Sequence, residues 1–207
     1  MATVLHLIAH PNPDHSRTVR IAREFIKAYQ EHHPEDSILT LDLYRENIPL
    51  LGAAHITAMF APDKGSLGGK EKEAWGEIMR RIEQFKGCDK FVVTSPMWNF
   101  SVPPLLRNYI DHVSQAGHTF RYTEKGPIGL MNHQPLAIIN TRGGRYSEPP
   151  TDQFELCVRY IRSIFGFLGL RPAVEIVAEG IDMVGPEERE KMLEEAIRKA
   201  REAAKTF

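Results

Sequence analysis

Five short apolar runs rich in β-branched residues divide the chain: Thr3 to Ala9, Ser37 to Leu43, Lys90 to Ser95, Pro135 to Asn140 and Ala173 to Ala178. The cores of the last three (FVV, AII and VEIV) look like strands covered on both faces, as central parallel strands are. Between the runs, apolar residues recur at helical spacing. Val19, Ala22, Phe25, Ile26 and Tyr29 share one face, as do Trp75, Ile78, Ile82 and Phe85, with Gly87 as a stop. A shorter stripe, Leu105 or Leu106, Tyr109 and Val113, ends near Gly117. The most regular one runs Phe154, Cys157, Val158, Ile161, Ile164, Phe165 and Leu168 to Gly169. Gly185-Pro186 opens a last helix with Glu187, Glu188 and Glu190 early and Lys199, Arg201 and Lys205 late, the charge order a helix dipole favours.

This alternation predicts one α/β domain over residues 1–207: a three-layer sandwich around a five-stranded parallel sheet of order 2-1-3-4-5. Two segments interrupt it. Residues 44–70 form a long excursion after the second strand, and residues 118–132 read as an aromatic hairpin around Lys125-Gly126.

Charge adds exclusions rather than positive signals. With 26 basic and 27 acidic residues, a net charge of −1 and no long run of either sign, nothing suggests nucleic acid or an acidic membrane as partner. No window approaches the roughly 18 uninterrupted apolar residues of a membrane span. His6 and His10 break the N-terminal apolar stretch too early for a signal peptide, so a cytoplasmic protein is expected. Cys88 and Cys157 lie outside any CxxC pairing and read as core thiols of a reducing compartment.

In open sheets of this kind ligands lie beyond the carboxyl ends of the strands, where strand order reverses. The expected order makes strands 1, 3 and 4 neighbours, so the loops after them fall side by side. The first, His10 to Thr18, has no glycine and matches neither GxxxxGK[ST] nor GxGxxG, which argues against an ATPase or a dinucleotide fingerprint. Ser16, Arg17 and Thr18 at a helix start suit one terminal phosphate; alternatively Ser16 only caps the helix. The second loop, Pro96, Met97, Trp98, Asn99, Phe100 and Ser101, offers aromatic faces and amides for a planar ring, or two aromatics for core packing. The third, Thr141, Arg142, Gly143 and Gly144, allows close backbone approach to a ligand edge beside a cation, or simply makes a turn. Together the three describe a flat heterocycle on a phosphorylated chain, which flavin mononucleotide (FMN) satisfies.

The stretch PMWNFSVPPLLRNYIDHVSQAGHTFRYTEKGPIGLM, followed by TRGG and FGFLGL, resembles the FMN-dependent NADH-azoreductase family of flavodoxin-like quinone reductases. The likeness covers most of residues 90–170. It implies a flavodoxin-like fold, a homodimer with a shared pocket, and NADH or NADPH as electron donor. The implied activity is a ping-pong hydride relay through flavin N5 that carries two electrons to a quinone or cleaves an azo compound. The family's phosphate-binding hydroxyls fall on Ser16, Arg17 and Thr18, its ring-binding tetrapeptide on Met97 to Phe100, and its later loop on Thr141 to Gly144. His10 departs from it, standing where the family often has serine; AHPNPDHS is instead similar to the first loop of related quinone oxidoreductases. That similarity keeps open a regulatory subunit of the potassium-efflux type, and the fold keeps open a flavodoxin-like electron carrier. Tyr122 and Tyr146 are candidate proton donors or pocket walls. His6, His10 and His15 lack metal-site spacing, and Asp14, His15 and Ser16 sit too close in sequence to form a hydrolytic triad.

Overall fold

A computed structural model describes residues 1–207. The strands are β1 (Thr3–Ile8), β2 (Ser37–Asp42), β3 (Lys90–Pro96), β4 (Phe120–Thr123), β5 (Gly126–Gly129), β6 (Pro135–Arg142) and β7 (Arg171–Glu179). The helices are α1 (Arg17–His32), α2 (Ala53–Phe60), α3 (Gly69–Lys86), α4 (Pro104–Val113), α5 (Cys157–Leu168) and α6 (Pro186–Ala204).

The main sheet has five strands in the order β2-β1-β3-β6-β7, all parallel. Counted along the chain this is 2-1-3-6-7 and not the expected 2-1-3-4-5, although the runs expected to be neighbours are neighbours. Residues 118–132 add two strands to the chain sequence that stay out of the main sheet and pair only with each other, antiparallel. The hairpin is held from outside, through Met131 N–H to Leu168 O at 2.9 Å and His133 N–H to Gly169 O at 3.0 Å.

Pleating sorts the strand residues between two cores. Leu5, Leu7, Phe91 and Val93 pack with Phe85, Tyr109 and Phe165 from α3, α4 and α5. Val4 and Val92 pack on the opposite face with Phe25, Tyr29 and Leu193 from α1 and α6. At roughly 1.5–3 kcal/mol for each large apolar side chain fully buried, both layers contribute heavily, and the continuous patterns of β3 and β6 follow from having both faces covered; β7, expected to be covered likewise, is an edge strand and leaves Glu175 exposed.

The helical stripes hold with one exception. Phe154 lies in a short 3-10 turn ahead of α5 and is exposed, so it belongs to the surface beyond the strand ends. The 44–70 excursion is pinned as well. Lys64 Nζ donates to the carbonyls of Ala58, Met59 and Ala61 at 2.7–2.8 Å, closing the C-terminus of α2, and lies 4.7 Å above the Trp75 ring. Asn108 Nδ2 on α4 donates to Pro49 O at 3.1 Å.

Candidate functional site

The chain leaves β1 toward β2 on one side and β3 on the other, so the reversal of strand order falls between β1 and β3. Beyond their carboxyl ends an open cleft of about 320 Å³ is lined by His10, Ser16, Arg17, Thr18, Pro96, Met97, Trp98, Thr141, Arg142 and Gly143. All three loops thus meet, joined by His15, Ile181 and Asp182. Asn99 lines an adjoining cleft that shares Trp98. Phe100, Gly144 and Tyr146 flank the rim: the Phe100 ring lies 5.9 Å from Tyr146, whose hydroxyl is 2.8 Å from where a Gly144 Cβ would stand. Tyr122 does not join them; it sits largely exposed on the β4–β5 hairpin.

Ser16 is the N-cap of α1, its Oγ accepting from Val19 N–H at 3.3 Å. The capping role is therefore present, and it leaves the hydroxyl proton free to donate. The N–H groups of Arg17 and Thr18, in the first turn, have no intrahelical acceptor. Thr18 is buried, with its Oγ1 2.5 Å from Thr141 Oγ1, so one hydroxyl contact ties the first loop to the third.

The second loop is a two-residue turn. Trp98 N–H donates to Ser101 O at 2.9 Å and Ser101 N–H to Trp98 O at 3.0 Å, while Asn99 (φ 46°) and Phe100 (φ 71°) both adopt left-handed backbone. Asparagine tolerates this conformation; phenylalanine does so at a cost of about 1–2 kcal/mol. Core packing does not explain that strain, because Trp98 and Phe100 are 36% and 42% exposed. Trp98 meets the His10 ring edge-on at 5.9 Å, and Phe100 stacks on Phe154 at 5.1 Å. A turn that holds two aromatics outside the core against its own backbone preference is arranged for something other than packing. Met97 contributes less than expected: its N–H is spent on Thr141 O at 3.0 Å.

Arg142 does not face the cleft as a free cation. It is 7% exposed and points inward to Glu155 at 3.3 Å and Glu179 at 3.4 Å. Glu179 is held below the usual carboxylate range: burial opposes this but is outweighed by the Ser147 hydroxyl, the Tyr146 N–H and Arg142. Arg17 is engaged too, with Nη1 2.7 Å from Asp182 Oδ1. Close approach at the glycines is made by the chain itself: a Cβ at Gly143 would stand 2.7 Å from Asp182 Oδ2, and one at Gly144 would meet Tyr146. Partial burial lowers the pKa of His10 below the usual imidazole range.

Residues that no motif marked complete the site. Tyr44, the first residue of the long excursion, reaches Trp98 edge-on at 6.4 Å. Beneath the second loop, Asn140 Nδ2 donates to Ser95 O at 2.7 Å and lies 3.4 Å from Cys157 Sγ. Cys88 and Cys157 are buried free thiols whose pKa values burial raises to about 11 and about 12, so both stay protonated. Asparagine closing the apolar run PLAII was the one signal for Asn140. Asp182 carried none, because the loop after the fifth sheet strand was not among those expected at the site.

A doubly wound parallel sheet with aromatic, hydroxyl and N–H groups gathered at its switch point defines a flavodoxin-like α/β protein. The chain belongs to the Flavodoxin-like fold family, whose model matches residues 2–204. It is 40% identical to an FMN-dependent NADH:quinone oxidoreductase of Caldicellulosiruptor saccharolyticus, over all of both chains. Its structure is similar to that of an azoreductase from Bacillus anthracis, with TM-score 0.93, 35% identity and full coverage of both chains. A second B. anthracis structure, an FMN-dependent NADH-azoreductase in complex with FMN, superimposes with TM-score 0.91 at 27% identity, covering 100% of this chain and 99% of that one.

Proposed function

We propose that this protein is an FMN-dependent NADH:quinone oxidoreductase that also cleaves azo compounds reductively. The observation that carries the reading is the strained, exposed turn from Trp98 to Ser101, set beside a helix start rich in hydroxyl and N–H donors. The donor set fits FMN at both ends. Ser16, Thr18 and the first-turn N–H groups of α1 would hold the phosphate, with Arg17 as the nearby cation. Trp98 and Phe100 would cover the ring, the N–H groups of Asn99 and Phe100 would meet its polar edge, and the Gly143-Gly144 backbone would border the other side. His10, Pro96, Met97, Thr141 and Arg142 complete the proposed wall, Arg142 from behind.

FMN, when bound, supplies two-electron chemistry between a nicotinamide donor and an organic acceptor. The chain's part is to bind and orient it, and to leave one ring face open to donor and acceptor in turn. Tyr146 stands at that rim and Tyr122 does not, so Tyr122 would serve only in a homodimer, across the shared pocket that the family resemblance implies. A single functional unit over residues 1–207 acting in the cytoplasm completes the proposal. No helix is long and apolar enough to cross a membrane.

The test is a visible spectrum of the purified protein together with NADH and NADPH oxidation, with and without a benzoquinone. A yellow protein with rapid quinone-dependent turnover is expected. A yellow protein without turnover would favour the regulatory-subunit or carrier reading, and one that cannot be reconstituted with FMN would sink the proposal.

A further inference from the structure

The ion pair at the mouth of the cleft has a use that FMN binding by hydroxyls does not require. Arg17 belongs to the first turn of α1, and Asp182 lies in the loop between β7 and α6. They meet at 2.7 Å, and Arg189 Nη2 stands 3.8 Å from the same carboxylate oxygen. The carboxylate is not carried there by a loose loop. Asp182 N–H donates to Gly143 O at 3.1 Å, and Arg189 Nε donates to Ile181 O at 2.6 Å. The absent side chain at Gly143 leaves room for Asp182 Oδ2. Three elements thus cooperate to keep a negative group on the rim of a cleft whose other donors suit an anion.

We infer that Asp182 occupies Arg17 in place of the ligand's phosphate and so sets which anions the cleft accepts; this rests on the phosphate of FMN lying at the start of α1. The side chains of the pair are 38% and 57% exposed, and an ion pair of that kind is worth only a factor of roughly two to five in an equilibrium constant. A phosphomonoester dianion, carrying more charge and able to accept two parallel N–H bonds from a guanidinium, outcompetes a carboxylate there. A weaker, singly charged anion does not. Displacement leaves Asp182 with a partner, because Arg189 is already beside it. The carboxylate therefore moves from one arginine toward another instead of being stranded, and the exchange is reversible.

Four forms of the full chain, stripped of flavin, test this: the wild type, Asp182→Asn, Arg17→Gln and the double variant. FMN and riboflavin are titrated into each by quenching of flavin fluorescence, with thermal melting to verify folding and Asp182→Ser as a second probe of the same position. The wild type is expected to hold FMN more tightly than riboflavin. Asp182→Asn and Asp182→Ser should tighten FMN by roughly twofold to fivefold and leave riboflavin unchanged, and the gain should shrink when Arg17 is also replaced. If the wild type prefers FMN but FMN binding in the Asp182 variants weakens or does not move, Asp182 positions Arg17 or is indifferent to it, and the inference falls alone. If the wild type does not distinguish FMN from riboflavin, the placement of the phosphate falls first and takes the inference with it.

Discussion

Lowering the pH from 7 to 4 should destabilise this protein through one residue in the middle of its sheet. His6, on β1, is 3% exposed and has its Nε2 2.9 Å from Thr94 Oγ1 on β3. Burial lowers its pKa from 6.5 to about 4, so the folded state keeps the imidazole neutral while the unfolded chain does not. Between pH 6.5 and 4 the unfolded state binds the extra proton, and stability falls as pH falls; above 6.5 both states are neutral and the contribution is constant. At 1.36 kcal/mol per pKa unit the full loss is about 3 kcal/mol, a large share of a typical domain's stability. Urea unfolding of the wild type and of His6→Gln across this range isolates the effect from carboxylate titration, which is common to both. The variant, less stable at pH 7, should lose less stability on acidification by about 2–3 kcal/mol. The reasoning fails if the two pH profiles run parallel, or if the His6 Cε1 proton resonance titrates near 6.5.

Two further predictions address the cleft. Replacing Ser16 and Thr18 together by alanine should weaken FMN binding by on the order of 10- to 100-fold and riboflavin binding far less, since one hydrogen bond to a charged group is worth about 1.5–3 kcal/mol and the Thr18 hydroxyl is already shared with Thr141; equal losses in parallel titrations would show that this loop does not hold the phosphate. Phe100→Gly relieves a left-handed phenylalanine while losing its exposed contacts to Phe154 and Tyr146, so the unfolding free energy should change by no more than about 1 kcal/mol while FMN affinity drops roughly tenfold. A loss of 3 kcal/mol or more in denaturant unfolding would make Phe100 a packing residue after all.

The parts of the site legible in the sequence are those that depend on chain order. Strands covered on both faces are written as uninterrupted apolar runs, and parallel pairing requires helices between them, so the runs FVV and AII sufficed to bring the loops after β1, β3 and β6 together. Counting strands was less secure. FRYT and GPIG form a short ladder of their own, and their packing outside the sheet, against α5, keeps them from changing its order. Side-chain direction lay further beyond reach. Arg17 and Arg142 stand at the start of α1 and the end of β6, equal candidates in the sequence as cations for an anion, and what separates them is which carboxylates surround them. Glu155 and Glu179 draw Arg142 into the protein, where it braces the third loop. Asp182 holds Arg17 at the rim, where a ligand can compete for it. Glu155 and Glu179 stand at polar positions beside an apolar stripe and an apolar run, and Asp182 lies in a loop without pattern, so nothing local pairs any of them with an arginine; the division of labour between the two arginines is a property of tertiary contact, visible only once the strand ends are assembled.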